Sequence, residues 1–248
     1  MSWSHRPNMV RIFALLFSLA AITVTPAYAE GVEKAYVDNN RPLITGSAYR
    51  YNGPAIQRIE YDSIARFGPF RVLDTHRVAL LDITDERSPG QFVAMMQAFP
   101  DLRVLEMIEC PGTFDDRANL RLGRLIRAAG LRTHVPREGS VRSGAVELFF
   151  AGVTHKIEVG AEFAVHAWQD DDGREATAYA ATSPEHLKYL AYYEEMGFGA
   201  REAQAFYAMT NSVPHEQALW LNAQEMQRWI RPTDTPQLAY LDLGALLQ

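Results

Sequence analysis

The chain has 248 residues, 48% of them hydrophobic, and a formal charge of −6, which is enough for one domain with a sizeable core. The acidic balance excludes a general binder of nucleic-acid phosphates, so no nucleic-acid partner is expected. The lone cysteine, Cys110, excludes an internal disulfide, and the core must hold the fold without covalent staples.

At the start, Arg6 and Arg11 precede the apolar run Ile12 to Val24, too short and too early for a comfortable membrane span. The run closes on Ala27-Tyr28-Ala29, the small-residue pattern that signal peptidase accepts before Glu30. Residues 1–29 therefore read as a signal peptide, and the mature chain is expected in the periplasm or secreted; an uncleaved N-terminal anchor is the rival. Cleavage removes two arginines and no acid, moving the formal charge to −8. No later stretch approaches a membrane span, so no membrane association is expected after cleavage.

Residues 30–70 are rich in Asn, Gly, Pro and Tyr and show no sustained apolar period, so an irregular or short-stranded lead-in is expected. From 71 to 183 the pattern is that of an α/β core. Val78 to Ile83 reads as a strand, and Ser88-Pro89 opens a helix carrying Phe92, Val93, Met95 and Met96. Val104 to Glu109 is a second strand, Cys110 to Thr113 a turn, and Asp115 to Ala129 a helix with Leu120, Leu122, Leu125 and Ile126. A third strand near Thr133 to Pro136 leads through residues 137–140 to a helix beginning near Ser143. Strand candidates follow at His155 to Val159 and Glu162 to Trp168. Strand and helix alternating in this way imply parallel pairing with crossover helices, because parallel neighbours cannot be joined by a tight turn. Residues 184–248 read as helical, either an appendage or an oligomer contact.

Serine is a weak nucleophile at neutral pH and needs a nearby base and donors for the oxyanion it creates. Gly139 to Ala145 puts Ser143 on a tight turn before an apolar helix, where the amide of Gly144 is free to donate. The turn Pro111-Gly112-Thr113 sits likewise between a strand end and a helix start, where open α/β sheets bind ligands. His166, 23 residues after Ser143 in an apolar stretch, can supply the base. The bland readings are a helix N-cap for Ser143 and a satisfied core histidine for His166.

Other candidates are weaker. Asp170-Asp171-Asp172-Gly173 lacks the ligand order and closing Glu of a calcium loop and reads as a solvated turn. No metal and no cofactor are expected. Cys110 reads as a buried thiol, while His186 and His215 share no ligand spacing and read as surface or interhelical residues. Tyr189, Tyr192, Tyr193, Phe206 and Tyr207 form an aromatic-rich helical pair, packed on the sheet or lining a peptide or subunit groove.

Strand, Pro-Gly turn, helix, strand, Gly-x-x-x-Ser-x-Ala, then a strand carrying His resembles the Clp protease/crotonase superfamily over roughly Val78 to Trp168. It is closest to a group of exported bacterial proteins, described as periplasmic or alpha/beta hydrolase-like. These carry the motifs running here as Ser143 to Phe149, Val165 to Trp168 and Tyr192 to Gly197. The resemblance implies a crotonase/Clp-protease-like ββα superhelix with a C-terminal helical appendage. It implies Ser143 as nucleophile, His166 as base, and the amides of Thr113 and Gly144 as oxyanion hole, acting on a peptide or other acyl substrate. Asp234 stands nearest the place of the triad acid, one position out of register, and Thr113 stands where the family keeps glycine. Relatives of this fold assemble as trimers, hexamers or rings, which implies a homo-oligomer. The alternative is a non-catalytic exported binding or assembly protein that retains the fold.

Overall fold

The computed structural model describes residues 36–37 and 53–230; the expected signal peptide lies outside the described residues. In chain order the elements are β1 (Tyr36–Val37), α1 (Gly53–Asp62), β2 (Ala65–Phe67), β3 (Phe70–Val72), β4 (Arg77–Leu80) and α2 (Ser88–Ala98). Next come β5 (Val104–Met107), β6 (Glu109–Cys110), α3 (Asp116–Ala128), β7 (Arg132–Val135), β8 (Ser140–Arg142), α4 (Ala145–Phe150), β9 (His155–Ile157) and β10 (Glu162–Val165). The chain continues with α5 (Pro184–Glu195), α6 (Ala200–Thr210), β11 (Leu219–Asn222) and α7 (Ala223–Gln227).

Two sheets result, in the orders β2-β3-β4-β5-β7-β9 and β1-β11-β10-β8-β6. The repeating unit is two strands and a helix, one strand going to each sheet. Thus β5 and β6 precede α3, β7 and β8 precede α4, and β9 is followed by β10. Neighbouring turns pair in parallel throughout, as in Leu105 opposite Thr133 and Val141 opposite Phe163. Ile108 is the corner of one turn: its amide donates to Leu80 O at 3.3 Å in the first sheet, while its carbonyl accepts from Ser140 N at 2.9 Å in the second. The first turn adds only an isolated parallel bridge between Thr84 and Thr113. This is the α/β ββα superhelix expected.

Local chemistry explains the helices. Proline opens α2 and α5, where its missing N–H costs nothing. Asp115 caps α3 by accepting from Ala118 N at 2.8 Å, and Arg127 lies at its negative end. The apolar face of α3 is fully buried at Leu122, Leu125 and Ile126 and packs between α2 and α4. A continuous core runs from Phe70 and Phe92 through Phe149, Phe163 and Phe206.

Two expectations need correction and one needs an addition. The short strand β2 (Ala65–Phe67) fits the lead-in expected over 30–70, while the helix α1 (Gly53–Asp62) was not foreseen there. Residues 137–140 are not merely a link, since β8 begins at Ser140. The C-terminal third is not all helical: Leu219 to Asn222 is a strand antiparallel to both β10 and β1. Its run Leu219-Trp220-Leu221 is short and buried, a pattern that periodicity does not separate from buried helix.

Behind the second sheet's parallel edge lies a buried ion pair. Arg142 Nη2 donates to Glu109 Oε1 at 2.5 Å, and each residue is 1% exposed. Arg142 Nη1 also reaches Ser140 Oγ at 2.8 Å, which aligns the strand directly before Ser143. Burial pushes the Glu109 carboxyl up while Arg142 pulls it back. Removing one member leaves an uncompensated charge, so Arg142→Met is expected to cost about 3–5 kcal/mol in urea denaturation. The double variant Arg142→Met, Glu109→Leu should recover most of that loss; failure to recover would mean that the pair does more than compensate its own charges.

Candidate active site

The two turns singled out in the sequence lie against each other. A Cβ placed on Gly112 would stand 2.9 Å from Ser143 Cβ, and one on Gly144 would stand 2.6 Å from Thr113 Cγ2. Real side chains do not tolerate such separations, so glycine at both positions is what lets the turns meet. Gly112 also has φ +135°, open in practice to glycine alone. Ser143 itself has φ +50°, an uncommon and mildly strained state for a residue with a side chain.

A polar clamp holds the turns together. Asn119, buried on α3, donates from Nδ2 to Gly144 O at 2.5 Å. Its Oδ1 accepts from the buried Thr84 Oγ1 at 3.1 Å, and Gly112 O accepts from Thr84 N at 3.0 Å. Because the peptide group is planar and trans, its C=O and the following N–H point in opposite directions. Drawing Gly112 C=O toward Thr84 therefore turns the Thr113 N–H away from it. Likewise Ser143 O accepts from Val146 N at 2.9 Å, into the helix, which aims the Gly144 N–H back out of it. Among the described residues neither amide has an acceptor. The β-branched side chain of Thr113 is accommodated: its methyl fills the space beside Gly144, and its Oγ1 accepts from Asp115 N at 3.2 Å. Helix α4 has only six residues, so the orientation of these amides matters more here than a helix dipole.

His166 follows the C-terminal end of β10 instead of lying within a strand reaching Trp168. Ser143 N donates to Ala164 O at 2.9 Å, which brings the serine beside that strand end. Ser143, His166, Thr113 and Gly144 all line one cavity of about 540 Å³. The ring of His166 is buried and its Nδ1 lies 2.8 Å from Ala167 O. A carbonyl only accepts, so Nδ1 carries the proton and Nε2 is the lone-pair nitrogen. That Nε2 is buried without a hydrogen-bond partner. No hydrogen bond joins it to Ser143 Oγ.

Three residues at this site, Asn119, His215 and Glu147, were not assigned to it from the sequence. His215, read there as surface or interhelical, lies in the cavity wall with its ring 4.5 Å from that of His166 and its Nδ1 3.0 Å from the same Ala167 carbonyl. Glu147 on α4 is buried, with Oε1 accepting from Tyr193 OH at 2.6 Å. Burial, opposed by that hydrogen bond, pushes its carboxyl up to about 7. Asn119 had no signal in its neighbours, and Glu147 showed only a charge inside an apolar helix. His186 is interhelical as expected, with Nδ1 2.7 Å from Tyr207 OH, but buried. Asp170 spans its own exposed turn, accepting from Asp172 N and Arg174 N. Cys110 is buried with its thiol pushed up by burial. Asp234 lies outside the described residues.

No protein-family model and no curated protein sequence matches the chain. Similar solved structures include a 1510-N membrane protease specific for a stomatin homolog from Pyrococcus horikoshii, 12% identical, covering 62% of this chain and 70% of that one, TM-score 0.38. A ClpP1 mutant from Listeria monocytogenes is 11% identical, covering 63% and 88%, TM-score 0.43. Methylmalonyl CoA decarboxylase is 9% identical, covering 66% and 87%, TM-score 0.33. Likeness at this level says nothing of activity. The chain has the Clp-protease/crotonase fold, and its own alternation of strands between two sheets carries that assignment.

Two measurements follow from this geometry. Asn119→Ala takes the side-chain donor from Gly144 O and leaves Thr84 Oγ1 only Gly112 O, at 3.3 Å, and should cost about 1–3 kcal/mol of stability by urea denaturation. Burial and His215 lower the pKa of His166 to about 4, and burial and Arg127 lower that of His155 equally. Both rings stay neutral in the folded chain while the unfolded chain protonates them below about 6.5. Their contribution to stability is therefore complete above pH 6.5 and is lost as pH falls toward 4. An NMR titration of the His166 ring should give a midpoint near 4; a midpoint near 6.5 would remove the buried neutral base.

Proposed function

We propose that the protein is an exported serine hydrolase, peptidase-like in its chemistry. The observation that carries this reading is the buried, partnerless Nε2 of His166 on the same cavity wall as Ser143. In the reaction Ser143 Oγ attacks the acyl carbon and its proton passes to His166 Nε2. The amides of Thr113 and Gly144 hold the oxyanion. The tetrahedral centre collapses, and His166 returns the proton to the leaving group as the acyl–leaving-group bond breaks. Water, activated by the same nitrogen, then releases the acid and restores the serine.

In this scheme a carboxylate is replaced. The Ala167 carbonyl, 2.8 Å from His166 Nδ1, fixes the tautomer that a triad acid would otherwise fix. A neutral carbonyl stabilises the imidazolium less than an acid would, and a base titrating near 4 is weak. The developing oxyanion beside it raises its proton affinity as the reaction proceeds. Export is supported by the leader-like run between Arg11 and Ala29. Among the described residues no helix is long and apolar enough to cross a membrane.

The missing hydrogen bond between Ser143 and His166 favours a second reading, an exported binding or assembly protein that keeps the fold. A fluorophosphonate probe separates the two. The hydrolase is labelled at Ser143, labelling is abolished in Ser143→Ala, and its rate drops about 10²-fold or more in His166→Ala, the scale of a lost general base. A folded protein that stays unlabelled removes the hydrolase reading and leaves the binding one.

A further inference from the structure

Beside Ser143 the cavity wall becomes acidic. Glu147 lies four residues further on, one helical turn along, and Asp116 opens α3. Each carboxyl is held by one tyrosine of α5. Tyr193 OH donates to Glu147 Oε1 at 2.6 Å, and Tyr189 OH donates to Asp116 Oδ2 at 2.5 Å. Residues 189 and 193 are four apart, so the helix presents both hydroxyls on one face. Among the described residues no other side-chain donor reaches either carboxyl; Glu147 has one further donor, its own backbone amide, and a carboxylate's remaining lone pairs stay available to a ligand.

The cations lining the same cavity do not neutralise this pair. Arg117 and Lys188 are both exposed, and Lys188 Nζ lies 5.0 Å over the ring of Tyr189 instead of against a carboxylate. Exposed charges are screened over about 8 Å in physiological salt, whereas buried ones are screened much less. Glu147 is 8% exposed. The upward push on its carboxyl is what a buried acid shows when no cation accompanies it. The second, independent observation is His166 Nε2, buried, partnerless and on the wall of this cavity, which points to a ligand that brings a polar reacting group there.

We infer that Asp116 and Glu147 form a subsite for a cationic group, the primary amine or guanidinium of a basic residue adjoining the bond offered to Ser143. The cation site stands on the carboxyl geometry alone, while its place beside a scissile bond rests on the hydrolase reading. The tyrosine hydroxyls hold one oxygen of each acid, and the arriving cation takes the others, as charge-assisted hydrogen bonds.

Two diphenyl phosphonates that differ only in a terminal ammonium or a terminal methyl provide the test. Each reacts by forming a bond from Ser143 Oγ to phosphorus as phenol leaves. The ammonium probe should label Ser143 at least tenfold faster, and Glu147→Gln with Asp116→Asn should bring the two rates together. Equal rates on the unaltered protein overturn the subsite and leave the hydrolase standing. Calorimetry with agmatine on Ser143→Ala is the independent arm, with saturable binding expected that weakens at least tenfold in Glu147→Gln. Binding of agmatine without labelling by either probe sinks the hydrolase reading and keeps the cation site; neither binding nor labelling sinks both. Should Glu147→Gln fail to fold, Asp116→Asn alone, at a half-buried position, makes the same comparison.

Discussion

The contact between two strand-to-helix turns is the constraint from which the rest of the site descends. Gly112 and Gly144 let the turns approach until Thr113 and Ser143 touch the opposing backbone. Thr84 and Asn119 then hold the carbonyls of residues 112 and 144. Planarity of the peptide does the remaining work, since a carbonyl drawn one way sends the next N–H the other. Two amides without acceptors are thereby left beside a hydroxyl, an arrangement costly to keep unless a ligand oxygen completes it.

That contact exists because of the way the superhelix winds. Each turn gives a strand to either sheet, and in the second sheet β6, β8 and β10 run in parallel, so their C-terminal ends collect at one edge. The Pro111-Gly112-Thr113 turn follows β6, Ser143 follows β8 and His166 follows β10. The buried Arg142–Glu109 pair ties two of these strands immediately before the site. Helix α5 closes the cavity on the other side with Tyr189 and Tyr193, so the C-terminal helices furnish a wall of the site and do not merely decorate the core.

Charge is distributed unevenly within this cavity. His166 is held neutral by burial and by His215, while Glu147 is driven toward its neutral form by burial. The neutral imidazole keeps its lone-pair nitrogen buried without a partner, and the buried carboxyl is accompanied by a tyrosine hydroxyl. The Ala167 carbonyl is shared by two imidazoles, 2.8 Å from His166 Nδ1 and 3.0 Å from His215 Nδ1.

Much of this was legible in the chain itself. The period of apolar residues located α2, α3, α5 and α6, and the Pro-Gly and Gly-Ser turns marked where backbone amides go free, because these are local properties of a few consecutive residues. Ser143 and His166 could be paired by their spacing across one ββα turn. The strands β8 and β11 escaped notice because three or four buried residues carry no period that separates strand from helix. Only the tertiary structure decided that Asn119 braces the Gly144 turn, that His215 stands beside His166, and that Glu147 meets Tyr193. Those partners lie 25, 49 and 46 residues apart in sequence, and local pattern cannot register a contact that only the winding of the chain creates.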